Sequence, residues 1–232
     1  MSEKQFLIVT ILLMILFTLI LVSLIAWYIL WKYIYGYKDK KKGFMFEDAA
    51  NERIKKVLKN TNFRYIEGGV YKFENHIYEV DSILVSPSFL VVVEYKNFNG
   101  NISGDAGSKK FFLSLKKKNK KIPVNNPILQ NEYHIKNVIK SLNKNVPYAS
   151  LIVLPDEAII QISNIPEHVI ICKLNELEEK INDMSLYSKE LPESINIEDI
   201  EQTMKIFKTT TLPEKIHFRN KIQNSQNKNR KQ

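Results

Sequence analysis

Asp81, Glu94 and Lys96 are residues whose types and spacing could do chemistry. Asp81 interrupts the stretch from Ile77 to Val85. Thirteen residues later Glu94 closes the run Leu90 to Val93, and Lys96 follows two positions on. In a strand, residues i and i+2 share a face, so Glu94 and Lys96 project together. If the two strands pair across Ser86-Pro87-Ser88, Asp81 reaches the same end of the sheet. Two carboxylates and one ammonium converging there suit hydrolysis of a phosphodiester. Hard carboxylate oxygens hold Mg²⁺ or Mn²⁺, and such a metal lowers the pKa of a bound water and neutralises developing phosphorane charge. A lysine positions the attacking water or stabilises the transition state as a point charge. Glu52, on an earlier helix, offers a third carboxylate. From spacing alone the pattern is short, and Glu94 with Lys96 equally suits a solvated pair at a strand end.

The elements that must position these groups can be read around them. Phe46 to Leu58 is an amphipathic helix with Phe46, Ala50, Ile54, Val57 and Leu58 on one stripe. Gly68-Gly69 is expected to break the chain. Val70 to Phe73 and Ile77 to Val85 read as strands around Glu74-Asn75, and Leu90 to Tyr95 as a buried strand. Asn99-Gly100 and Gly104 to Gly107 mark turns, and Phe111 to Leu115 is another strand. Asn126-Pro127 is a helix start, with Asn as the cap and Pro in the first turn, and this helix runs to about Asn143. Ser150 to Leu154 and His168 to Cys172 read as strands, Leu174 to Met184 and Ile197 to Phe207 as helices. The order predicts an α/β (α+β) fold around one mixed sheet.

Composition separates the chain further. Phe6 to Trp31 is 26 residues without a charge, 23 of them hydrophobic, enough for a helix to span a bilayer. Trp27, Tyr28, Trp31, Tyr33 and Tyr35 gather at its end, where amphipathic rings favour headgroups. The run is too long for a cleaved signal peptide, and no small-residue cleavage site follows. Lys4 is offset by Glu3, whereas Lys32, Lys38, Lys40, Lys41 and Lys42 face only Asp39 after the span. The asymmetry predicts a single-pass protein of the cell membrane with its C-terminal part in the cytoplasm. The basic flank also suits anionic lipid. The expected organisation is an anchor over 1–35, a basic juxtamembrane linker over 36–45 and a main domain over 46–155. An acidic extension over 156–212 and a basic, disordered tail over 213–232 follow.

Several function classes are excluded. One cysteine, Cys172, rules out a disulfide framework or a multi-cysteine zinc site. All seven glycines precede residue 108, and no phosphate-cradling glycine loop can be written. No G-x-S-x-G elbow or H-E-x-x-H helix occurs. The net charge of +9 sums opposed regions. Lys109, Lys110, Lys116, Lys117, Lys118, Lys120 and Lys121 stand without an acid among them, whereas 156–201 carries 12 acids against 3 lysines. The lysine strip suits contact with a phosphate backbone or, as readily, a solvated loop.

Taken together, the ordered pieces Asn51-Glu52-Arg53, Glu79-Val80-Asp81, Val92-Val93-Glu94-Tyr95-Lys96-Asn97, Gly100 to Gly104 and Asn126-Pro127-Ile128-Leu129-Gln130-Asn131 with His134 resemble the nuclease-related domain (NERD) family of the PD-(D/E)xK nuclease superfamily. The resemblance implies a restriction-endonuclease-like mixed sheet flanked by helices. It makes Asp81 and Glu94 metal ligands, Lys96 the catalytic lysine, Glu52 an accessory carboxylate and Gln130 a polar group directed at the site. Gln130 and His134 also share a helix face by spacing, distinct from that of Ile128, Ile135 and Leu142. Against the family pattern, Asn51 replaces a glycine, Ser82 a histidine, and Phe111 or Phe112 a tryptophan. The expected function is a membrane-anchored, Mg²⁺-dependent (or Mn²⁺-dependent) nuclease acting on DNA in preference to RNA. The alternative is an inert or weakly active module tethering nucleic acid or a protein to the membrane. A third reading places the domain outside the cell.

Overall fold

The computed structural model describes residues 3–115 and 121–209. The chain divides into two compact units, Met1–Met45 and Phe46–Gln232. Helix α1, Glu3–Val57, supplies the first unit and the opening turns of the second. Its segment Glu3–Trp31 has a mean hydropathy of 3.1, none of it is buried, and it is long and apolar enough to cross a membrane. Residues 36–45, expected as a linker, are helical as well.

In the second unit α1 buries Ala50, Ile54 and Val57, positions four and three apart that form one stripe. The strands are β1 (Arg64–Phe73), β2 (His76–Val85), β3 (Leu90–Tyr95), β4 (Asn101–Asp105), β5 (Lys110–Ser114), β6 (Lys121–Asn125), β7 (Tyr148–Leu154), β8 (Ile159–Ser163) and β9 (Val169–Lys173). The remaining helices are α2 (Pro127–Leu142), α3 (Leu177–Glu190) and α4 (Ile197–Phe207). The fold is mixed α/β with two sheets, ordered β1-β2-β3-β7-β9 and β6-β5-β4-β8. The expectation of a single mixed sheet is thereby corrected. Strands β4 and β8, which pair in parallel, were not foreseen. Gly104 lies inside β4 instead of in a turn, and β8 is short, with alternating half-exposed residues.

The first sheet is sandwiched. On one face Leu84, Val91, Val93 and Tyr95 pack against α1 and α3 through Ile54, Leu177 and Ile181. On the other, Val80, Leu90 and Val92 meet Ile135 and Val138 of α2 and Ile200 and Met204 of α4. Every residue of β3 is buried, as expected of a strand covered on both faces. Residues beyond 155 belong to the same unit: β9 pairs with β7, and β8 with β4.

Gly68-Gly69 does not break the chain but lies within β1. A Cβ on Gly68 would sit 1.7 Å from the Asp81 carbonyl oxygen, and Gly69 has φ +150°, so both positions need glycine. On β2, Tyr78 and Val80 share a layer with Ile83 and Val85; on β1, Tyr71 and Phe73 share it with Ile66. Side-chain alternation therefore slips by one on both strands, while the pairing from Glu67↔Ser82 to Gly69↔Val80 keeps its offset and skips Gly68 and Asp81. The two strands turn over together, and Asp81 occupies the turning point.

Candidate active site

Strands β2 and β3 pair from Val85↔Leu90 to Ser82↔Val93. Beyond that last pair, Asp81 Oδ2 accepts the Tyr95 N–H at 2.8 Å. The Lys96 N–H donates to the Val153 carbonyl of β7 at 3.0 Å, so the end of β3 is held from both sides. Asp81 thus sits beside Glu94 because its carboxylate continues the ladder where the backbone pairing stops.

Glu94 is 1% exposed. Lys96 Nζ lies 2.5 Å from its Oε1, and His134 Nε2 lies 3.3 Å from its Oε2. Lys96 and His134 thus face one carboxylate oxygen each, without meeting strict hydrogen-bond geometry. Burial pushes the Glu94 carboxyl up, but His134 and the Lys96 ammonium together outweigh it and hold the group below the usual carboxylate range. Burial favours loss of the Lys96 proton, yet Glu94, then Asp81 and Glu47, raise its pKa overall. The lysine is therefore a fixed positive charge and not a proton acceptor. Asp81 keeps some surface open, but burial first and the Glu94 charge second push its carboxyl well above the ordinary value.

Helix α2 brings His134 to Glu94. Asn126 caps it, accepting the Ile128 N–H at 2.8 Å and donating to the Ala106 and Ser108 carbonyls. Gln130 lies one turn before His134, with its Nε2 3.4 Å from the His134 Nε2. The i, i+4 spacing predicted that shared face. The His134 side chain is only 13% exposed and set against Glu94.

Helix α1 contributes differently from expectation. The Glu52 side chain is 69% exposed and lies 3.7 Å from Lys55. It lines a cleft of about 340 Å³ together with Glu47, Asp48, Glu67, Glu79 and Asp81. Glu47, on the same helix, is half-buried. Burial, then Glu79, Asp48 and Glu94, raise its pKa. Spacing from Asp81 and Glu94 carried no signal for Glu47; its i, i+4 relation to Asn51 is the clue that was present. The Asn51 Oδ1 accepts the hydroxyls of Tyr65 at 2.9 Å and Tyr95 at 2.6 Å, and the Tyr95 hydroxyl also meets Ser82 Oγ at 2.8 Å.

Lys109, Lys110 and Lys121 are exposed around the starts of β5 and β6. Lys116, Lys117, Lys118 and Lys120 lie outside the described residues, as does the tail from 213. Among the described residues, no three of His, Cys, Asp and Glu stand together in a metal-holding group.

Residues 42–155 match the profile of the nuclease-related domain. That span opens in α1, contains all of the Asp81, Glu94, Lys96, Gln130 and His134 constellation, and ends just after β7. No curated protein and no solved structure matches the chain significantly. Over residues 42–155, just under half of its length, the chain is similar to the nuclease-related domain (NERD) family.

Proposed function

We propose that the protein is a membrane-anchored, metal-dependent nuclease that hydrolyses phosphodiester bonds of DNA in preference to RNA. The observation that carries this reading is the buried Glu94 carboxylate, with Lys96 at 2.5 Å just past the end of the same strand and Asp81 against the Tyr95 N–H beside it. Burying a carboxylate is costly unless it is paired or bound to a metal, and buried acids held this way cluster at functional sites. Asp81 and Glu94 would hold Mg²⁺ or Mn²⁺. Magnesium keeps several waters and takes only one or two protein carboxylates, so a site with fewer than three acidic ligands fits it. The buried Glu94 oxygens without aligned donors fit a cation as well. When bound, the metal would supply an activated water and offset charge on the phosphorane. Lys96, kept cationic by Glu94, orients that water or binds a phosphoryl oxygen. His134 fixes the Glu94 carboxylate, and Gln130 acts through His134. Glu47 is the acid of α1 that supports the site, while Glu52 stays on the rim of the cleft.

The segment over 6–31 would seat the chain in the bilayer, with the lysines that follow retaining the domain on the cytoplasmic side. The lysines over 109–121 would contact the phosphate backbone.

The test uses the full chain in detergent or nanodiscs, with single- and double-stranded DNA and RNA, in Mg²⁺, Mn²⁺ or EDTA. Wild type should cleave DNA only with metal, and Asp81→Ala, Glu94→Ala and Lys96→Ala should each lose about 10²–10³-fold. Equal cleavage by all four proteins sinks the reading. Metal-independent binding without turnover selects the tethering module instead.

A further inference from the structure

We propose that Asn51 and the Tyr95 hydroxyl form a positioning device that holds Asp81 in register with Glu94, an inference that rests on the metal-binding reading of those two acids.

Tyr95 is held at both ends. Its backbone N–H donates to Asp81 Oδ2 at 2.8 Å, and its hydroxyl donates to Asn51 Oδ1 at 2.6 Å. A phenol has one hydroxyl proton, so the 2.8 Å contact to Ser82 Oγ must run the other way, with Ser82 donating. The Asn51 oxygen uses its second lone pair on the Tyr65 hydroxyl at 2.9 Å. One amide oxygen of α1 therefore gathers a residue of β1 and one of β3, and through Tyr95 also Ser82 of β2. Ser82 belongs to the last β2–β3 pair and adjoins Asp81. The network sits where backbone pairing ends and where β1 and β2 turn over at Gly68-Gly69, so the sheet's own ladder fixes the Asp81 carboxylate least there.

The Ser82–Tyr95 end of the arrangement is buried, while Asn51 and Tyr65 are half-buried on the wall of the cleft. Ser82 is fully buried and Tyr95 is 6% exposed. A buried polar chain in which each member is satisfied specifies a single geometry. Asn51 suits the centre because its carbonyl oxygen accepts two hydroxyls without adding charge beside Asp81 and Glu47. Glu47 lies one turn earlier on the same helix, so the same bonds set how α1 presents that acid.

Tyr95→Phe is the decisive variant because it removes the hydroxyl and keeps the N–H that binds Asp81. Full-length wild type, Tyr95→Phe, Asn51→Leu and the double variant are compared in nanodiscs, with thermal unfolding confirming that each is folded. Two readouts are taken: Mn²⁺ affinity by titration, and hydrogen exchange of the segment containing the Tyr95 amide without metal. Each single variant should weaken Mn²⁺ binding about 10–100-fold, the usual loss when a partner that orients a metal ligand is removed. Each should also speed exchange at Tyr95, and the double variant should be no worse than either single. Unchanged exchange and affinity, or additive losses, overturn the device. A wild type that binds no Mn²⁺ defeats the metal-site reading alone, and the exchange comparison still decides whether the hydroxyl network holds Asp81. If Asn51→Leu unfolds, Tyr95→Phe alone gives both readouts.

Discussion

Asp81 illustrates a conflict between folding and use at a single residue. Its carboxylate is crowded beside Glu94, and the surroundings push its pKa well up. Asp81→Asn keeps an acceptor for the Tyr95 N–H and removes the like-charge repulsion. The metal-free chain should be stabilised by on the order of 1 kcal/mol, moving Tm up by roughly 2–4 °C, while metal-dependent cleavage disappears. A calorimetric scan of both proteins without metal checks this, and a lowered Tm would refute it. Cys172 is the contrasting case. It is buried, and burial pushes its thiol up to about 12. It should resist thiol reagents in the folded protein and react fully in denaturant, as an absorbance assay would read directly. At this scale the sequence was informative where chemistry and spacing coincide. Asp81, Glu94 and Lys96 were legible because strand parity places i and i+2 on one face. Glu47 was not, because its approach depends on how α1 packs on the sheet, and Glu52 was favoured by motif position although its side chain is largely exposed.

At the scale of elements, α2 and the Gly68-Gly69 segment carry the site. The start of α2 was readable because Asn126 and Pro127 each have a local reason to be there, and the end is a left-handed Asn143 at φ 48°. Asn126→Ala removes the cap and two donated bonds; the cap alone costs about 1 kcal/mol. Since α2 carries Gln130 and His134, this variant should lower both Tm and cleavage rate. Loss of Tm with unchanged kcat would argue that α2 does not orient the site. Gly68→Ala is expected to be more severe, because the new methyl would overlap the Asp81 carbonyl. Backbone against backbone leaves no side chain to rotate away, so misfolding or loss of metal affinity should follow, read by circular dichroism and Mn²⁺ titration. The role of Gly68-Gly69 was misread because a glycine pair signals a turn in sequence, whereas here it permits close strand approach. Strands β4 and β8 were missed for a related reason. They are five residues each, partly exposed, and pair across more than fifty residues of chain, which leaves little local pattern.

At the scale of the whole molecule, the chain forms two compact units, Met1–Met45 and Phe46–Gln232. The uncharged run over 6–31 contrasts with a unit whose hydrophobic residues are folded inward. The protein should sediment with membranes and resist carbonate extraction, and deletion of residues 1–45 should release it. Protease added to intact cells should spare the domain if the lysine flank sets a cytoplasmic orientation, and cleavage of it would reverse that assignment. The acidic region over 156–201 yielded no function from sequence. Its structural part is clear: β8 and β9 complete the two sheets, and α3 and α4 cover the first.

The contribution of α4 has a consequence in the order of synthesis. It packs on β1 and α2 through Ile200 and Met204, and Thr209 just beyond it donates its N–H to the Val70 carbonyl of β1. A ribosome makes this closing piece long after the apolar helix, so the β1 side of that sheet face stays uncovered until translation has passed residue 209. The apolar helix can therefore be delivered to a membrane before the domain that follows it is complete. A nuclease-related domain built in this order need not be free in the cell in a finished state.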